Sequence, residues 1–320
     1  MYVNRRSPVD GPCAGGEEKL VTEAVVLHSL LGNHPNTTPI KSGKVSSSLV
    51  KFDFFEVKVA NTQFKNLVRE AKYDFGELAI ATFLQAKYYG KPYVLLPATI
   101  VGRNQHHTLF YNADRGAMRP RDLNGKRVGI RAYAQTTVTW MRGILAGDYG
   151  VDLDSVHWVS FEAPHVAEFR DPPNVQRAAE GKVMKQMLLD GEIDAAVLGD
   201  VSEEGPLKHL IPNPEDAARD WARRHGGVPI NHLAVMRESL VKERPDVVRE
   251  TYRMLKEARA QAESHYPSGA DDPLRFGVGA LRQSFEQMSA YAVEQKLVPH
   301  FYSAEEVFAD AVRILGADAA

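Results

Sequence analysis

Cysteine is almost missing from this 320-residue chain, and the single Cys13 cannot form an intrachain disulfide or a cysteine-based metal cluster. Nothing therefore points to an oxidising compartment. A surplus of charge is missing as well. The 39 Lys and Arg face 41 Asp and Glu, a formal net charge of −2, so no long-range field draws in nucleic acid or an anionic membrane. No run reaches the ~20 apolar residues that span a bilayer. Residues 1–18 hold Arg5 and Arg6 and then Pro, Gly and acids, without the roughly 7–15 apolar residues of a secretory signal. The expectation is a cytoplasmic protein. Phosphate-cradling loops are absent too. The stretch from Gly125 to Gly129 is not a Walker loop, and no Gly-x-Gly-x-x-Gly follows the first apolar run. There is no His-Glu-x-x-His, no cysteine pair and no calcium loop. Neither a cofactor nor a metal is expected, although His165 and Glu168 would present two metal ligands if their segment were helical.

What is present is the balance of an ordinary globular protein, 44% hydrophobic and 25% charged, with length for about two domains. Residues 1–19 read as a flexible lead. Val21 to Leu31 is a strand stopped by Gly32-Asn-His-Pro35. Phe52 to Val59 alternates in the β manner, and Asn61 to Lys72 has a helical face of Phe64, Leu67, Val68 and Ala71. Tyr93 to Val101 is a buried strand and His107 to Asn112 an extended segment. Short strands follow at Lys126–Arg131, Val156–Phe161, Ala195–Leu198 and Asn231–Met236. Thr136 or Thr137 caps one helix, Val183–Leu189 forms another, Pro245 opens a long one, and Ser303 to Glu306 is a capping box for the last. Alternating strands and helices make the class α/β with largely parallel sheets. One echo stands out: Leu67–Ala79 and Met187–Val197 each run from a helix through a tight turn into a short strand. Two similar lobes, or chance likeness of two amphipathic helices, would account for it.

Several stretches resemble the 4,5-dihydroxyphthalate decarboxylase family, within the type 2 periplasmic-binding-protein superfamily. They are Tyr73-Asp-Phe-Gly-Glu-Leu-Ala79, Gly90-Lys-Pro92, His106-His107, Leu123–Gly129, Trp140–Leu145, Tyr149-Gly-Val151 and, most distinctively, His165-Val-Ala-Glu-Phe-Arg-Asp-Pro-Pro-Asn-Val175. The resemblance covers most of residues 20–260. It implies two lobes, each a mixed sheet flanked by helices: one from 20–104 and 232–320, the other from 108–228. The chain would cross between them near His106 and near Asn231. Residues just past the strands and at the crossings would line the cleft.

The residues themselves allow two readings at each place. Arg131, Tyr133, Gln135, Thr136 and Thr137 lie between a strand and a helix start, where free N–H groups and a guanidinium fork suit a carboxylate; Thr136 could equally be only a cap and Arg131 a surface residue. His106 and His107 could supply a proton near neutral pH, or pack structurally. In an extended segment they would point to opposite sides. Glu77 could accept hydrogen bonds from a ligand, or face a helix start. His34 is placed like it after the first strand, and Glu162, His165 and Arg170 follow another strand.

Together with the resemblance, these residues imply a lyase releasing carbon dioxide from a hydroxylated aromatic dicarboxylate. The resemblance implies 4,5-dihydroxyphthalate giving protocatechuate. Arg131, Tyr133, Thr136 and Thr137 would anchor a carboxylate. His106 or His107 would donate the proton, with His165 in reserve, and Glu77 and His34 would address the ring hydroxyls. The ring hydroxyls supply the electron push, so no cofactor is called for. The alternative is a non-catalytic receptor or sensor for a small aromatic acid, since one fold serves both. The partner is a small anionic ligand rather than nucleic acid or membrane, and a homo-oligomer is left open.

Overall fold

The computed structural model describes residues 23–320; Cys13 and the expected lead at 1–19 lie outside the described residues. Eleven strands are found among them: β1 Val25–Leu30, β2 Val50–Phe54, β3 Phe75–Ala79, β4 Tyr93–Gly102, β5 Leu109–Asn112, β6 Arg127–Ile130, β7 His157–Ser160, β8 Val175–Arg177, β9 Ala195–Val197, β10 Leu207–His209 and β11 Ile230–Arg237. They form two mixed sheets, ordered β2-β1-β3-β11-β4 and β10-β5-β9-β6-β7-β8.

The two sheets repeat one plan. In the first, β2, β1 and β3 are parallel, and β11 enters antiparallel between β3 and β4. In the second, β7, β6 and β9 are parallel, and β5 enters antiparallel between β9 and β10. The antiparallel strand of each sheet is the one that arrives from the other sheet. The sequence echo falls at equivalent points. Helix Phe64–Glu70 leads into β3 through the left-handed Ala71, and helix Met184–Asp190 leads into β9 through the left-handed Gly191.

Burial explains the strand sequences. β3 and most of β4 are buried along their whole length, so neither shows the alternation of a half-exposed strand. Helix Ile80–Tyr88 has every residue from Ile80 to Ala86 buried, so it has no amphipathic period to mark it in sequence. One core cluster joins the inner sides of both sheets through helices Ile80–Tyr88, Thr136–Tyr149 and Val278–Glu294. Gly143 lets the last two approach closely, because a Cβ there would collide with the Tyr291 ring. Helices Pro245–Gln261 and Ala304–Leu315 cover the outer face of the first sheet.

Local expectations are met at Pro245, which opens its helix, and at Ser303, whose hydroxyl accepts from the Glu306 N–H at 3.2 Å. Two differ. His106–Thr108 is a 3₁₀ turn, not an extended start to β5, because the Thr108 N–H and hydroxyl both donate to the Gln105 carbonyl, at 2.9 and 2.7 Å. The helix after β6 is capped by neither threonine. Its N-cap is Gln135, and Thr136 and Thr137 are its first residues, with side chains engaged elsewhere.

Candidate functional site

Glu77 is the middle residue of β3, and no part of it is exposed. A carboxylate there survives only if its lone pairs are satisfied, and three donors converge on it. The Gly32 N–H donates to Oε1 at 2.6 Å, His34 Nε2 donates to the same oxygen at 3.2 Å, and His232 Nδ1 donates to Oε2 at 2.6 Å. Strand pairing delivers all three. Leu30 lies beside Gly76 in the parallel β1–β3 pair, so the chain just past β1 runs by Glu77. Ala234 lies opposite Glu77 in the antiparallel β3–β11 pair, which puts His232 on the same face one diagonal step away. Position 32 has to be glycine, since a Cβ would stand 2.7 Å from the His34 ring and 2.9 Å from the carboxylate. Burial resists ionisation of Glu77, but the hydrogen bonds and charge of His232 and His34 outweigh it and hold the carboxyl well below the usual carboxylate range.

His34 and His232 both line a cavity of about 350 Å³ between the sheets, within the size range of small-molecule sites. His232 Nε2 has no hydrogen-bond partner among the described residues. The same cavity has basic lining residues, Arg131 and Arg103. Arg131 follows β6, and its Nε lies 3.6 Å from Glu162 Oε2, too far for a hydrogen bond. Arg103 follows β4, pairs with Asp200, and donates from Nη2 to Thr137 Oγ1 at 2.9 Å. Thr136 Oγ1 accepts from the Ala81 N–H at 3.1 Å. His165 Nδ1 lies 2.8 Å from Thr82 Oγ1. Burial and then the Arg131 charge push its imidazole down to about 3, so it is neutral near pH 7. Asn231 accepts from Gln105 Nε2 at 2.8 Å, fastening the two crossings together at the cavity floor.

The expected site residues therefore divide. Arg131, Thr136, Thr137, His165 and His34 line this cavity, and Glu77 lies directly behind its wall. His106, His107 and Tyr133 do not line it. His106 is 1% exposed, packs edge-on against Trp221 at 6.3 Å, and has both ring nitrogens buried without a partner among the described residues. Burial pushes its imidazole down to about 4. The expectation of a proton donor is corrected at this residue, because the 3₁₀ turn directs its ring into the core. His107 stands at the rim, with Nε2 2.7 Å from Asp200 Oδ1. Tyr133 is buried under Arg142, whose guanidinium lies 3.5 Å from the ring centre, and its hydroxyl donates to the Gln295 carbonyl at 3.2 Å. It braces the loop from behind rather than contacting the cavity. His165 and Glu168 do not meet as a metal pair, for that segment is not helical and Glu168 binds Lys91 at 2.6 Å. Arg103, His232 and Asp200 went unnoticed in the sequence. The signal for His232 is a polar residue inside an otherwise apolar strand, the same anomaly that Glu77 shows in β3.

Residues 56–171 match the family model described as NMT1/THI5 like. Among solved structures, the alkanesulfonate-binding protein SsuA from Xanthomonas axonopodis pv. citri, bound to MOPS, superposes with a TM-score of 0.58 at 12% identity, over 90% of this chain and 98% of that one. SsuA from Escherichia coli gives 0.54 at 10% identity, over 88% and 91%. These likenesses establish the two-lobed type 2 periplasmic-binding-protein fold. Sequence similarity is nearer to another group. A 4,5-dihydroxyphthalate decarboxylase of Pseudomonas putida is 28% identical over 220 residues, 64% of this chain and 84% of that protein. One of Comamonas testosteroni is 30% identical over 236 residues, 68% of this chain and 70% of that protein. At that identity and coverage, the chain belongs to the 4,5-dihydroxyphthalate decarboxylase family.

Proposed function

We propose that this protein is a carboxy-lyase that removes carbon dioxide from a hydroxylated aromatic dicarboxylate, with 4,5-dihydroxyphthalate going to protocatechuate as the leading case. The observation that carries the proposal is that one cavity is lined by His232, which is bound to the buried Glu77, and by Arg131 and Arg103. We take residues 20–104 with 232–320, and 108–228, as the lobes that close on the ligand.

Arg131, with the free N–H groups at the start of helix Thr136–Tyr149, would hold the carboxylate that stays. A ring hydroxyl para to the other carboxylate feeds electron density into the carbon bearing it. His232, whose Nδ1 is held by the Glu77 carboxylate, gives an Nε2 proton to that carbon. The bond to the carboxylate then breaks, its electron pair returns to the ring, and neutral carbon dioxide leaves. His232 recovers its proton from solvent. His165, being neutral, serves as a hydrogen-bonding wall rather than as the acid. Glu77 acts through the histidines, holding their tautomers and orientation, as a buried carboxylate does behind a catalytic imidazole.

The test is incubation of the purified protein with a panel of aromatic dicarboxylates. Dihydroxyphthalate should yield carbon dioxide and protocatechuate in equal amounts, and in heavy water the product should carry deuterium at the former carboxylate carbon. Tight binding with no carbon dioxide released would instead make the protein a receptor or sensor for an aromatic acid.

A further inference from the structure

The cavity built for an anion holds an anion of its own. Asp200 follows β9, and its side chain is 63% exposed at the cavity rim. Its Oδ2 pairs with Arg103 Nη1, and its Oδ1 accepts from His107 Nε2 at 2.7 Å. The two arginines of the basic wall are thus in different states. Arg103 is engaged at both ends, by Asp200 and by Thr137 Oγ1. Arg131 has only Glu162 at 3.6 Å and an Nε with no hydrogen bond. Asp200 sits in the stretch between β9 and β10, which has neither helix nor strand through residue 204. With its carboxylate end largely in water, the pair is weak enough for an incoming carboxylate to replace it.

We propose that Asp200 is a built-in competitor: it occupies Arg103 in the empty site and yields it to the second carboxylate of a dianionic ligand, staying tethered to His107. The proposal rests on the cavity being an aromatic dicarboxylate site. It gives His107 a role at the rim, as the holder of Asp200. It also accounts for an acid in a basic cavity. A guanidinium shared with Asp200 grips the second carboxylate weakly, which suits the carboxylate that has to leave, since tight ground-state binding of it would oppose the reaction. Once carbon dioxide has gone, Asp200 reclaims Arg103, and the product is held through its remaining carboxylate alone.

Competition for one arginine differs from general charge repulsion in what it does to a monoanion. A ligand with one carboxylate can use Arg131 and leave the Asp200 pair closed, whereas a dicarboxylate has to open it. The experiment is calorimetric titration of phthalate and of benzoate, neither of which has the ring hydroxyl for turnover, into the wild type, Asp200→Asn and Glu162→Gln. Asp200→Asn should bind phthalate about tenfold tighter, the factor lost when only one molecule in ten has the competent arrangement, and should bind benzoate as the wild type does. Glu162→Gln, which removes the same charge from an acid that makes no hydrogen bond to its arginine, should shift both ligands alike and less. If Asp200→Asn binds phthalate no tighter, or tightens benzoate equally, the competitor is overturned while the dicarboxylate site stands. If no form of the protein binds phthalate, the dicarboxylate site falls and the competitor falls with it.

Discussion

The chain passes from the first sheet to the second between Gly102 and Leu109 and returns at the start of β11, around Ile230 to His232, and each crossing carries a histidine in an opposite environment. His106, on the outward crossing, has lost water and gained nothing in return: its neighbours are Trp221 and core, and burial holds it neutral. His232, on the return crossing, is also largely buried, but a carboxylate stands 2.6 Å from its Nδ1. The first ring has no polar partner among the described residues, whereas the second is fixed at one nitrogen by a carboxylate and lines the cavity. Burial by itself therefore does not make a histidine chemically useful; a fixed counter-charge with one nitrogen left free does. His165 sharpens the point. It lines the same cavity as His232, but its close partner is the Thr82 hydroxyl and its charged neighbours are basic, so it stays neutral.

The comparison breaks most sharply at turnover. His232→Gln should slow decarboxylation by roughly 10²–10⁴-fold, the usual loss with a general acid, and leave KM nearly unchanged because the arginine wall does the holding. His106→Phe should leave kcat close to wild type. Carbon dioxide release under saturating substrate measures both, and a large loss in His106→Phe with none in His232→Gln would reverse the assignment.

Next comes stability towards acid. His106 in the folded protein titrates at about 4 against an ordinary 6.5. As the pH falls through 6.5 the unfolded chain gains a proton that the folded chain refuses. Stability present above 6.5 is therefore lost between 6.5 and about 4, by about 3 kcal/mol for this one group. His165 acts in the same direction. Glu77, held below its ordinary 4.5, adds its loss only as the pH falls beneath that value. Urea unfolding across pH 7.5 to 4.5 should show the decline, and His106→Phe should flatten its upper part. An unaltered slope in that variant would mean His106 is not the proton-linked group.

On the basic wall the expected effect is smaller and of a different kind. Arg131→Lys keeps the charge but loses the fork, so KM should rise about tenfold with kcat little changed, as steady-state kinetics would show. The smallest effect belongs to Tyr133→Phe. Its hydroxyl reaches only the Gln295 carbonyl, so the change should cost about 1 kcal/mol in unfolding free energy and leave ligand affinity alone. A rise in KM would bring Tyr133 back to the ligand.

Some of the site was legible in the sequence because its signals are local. Arg131 and the two threonines follow from a strand–loop–helix pattern, and the tight turn before Tyr73-Asp-Phe-Gly-Glu-Leu-Ala79 marks the strand that carries Glu77. His106 and His107 misled because a doubled histidine at a crossing looks like a site, while a three-residue 3₁₀ turn sends one ring into the core and the other to the rim. Thr136 and Thr137 looked like caps because the sequence cannot show that the Ala81 N–H and the Arg103 guanidinium claim their hydroxyls. Helix Ile80–Tyr88 was hidden by its burial on every side, which erases the helical period.

The sequence by itself determined the class. Apolar runs alternating with amphipathic ones specify an α/β protein, because that signal is carried by neighbouring residues. Only the tertiary structure decided which histidine would meet the buried Glu77. Glu77 and His232 are 155 residues apart, and nothing local to either one announces the other. They meet because β11 returns from the second sheet to pair antiparallel with β3 in a register that sets Ala234 against Glu77 and His232 against Ala79. A slip of one residue would turn His232 to the opposite face of the sheet and leave the buried carboxylate without its donor.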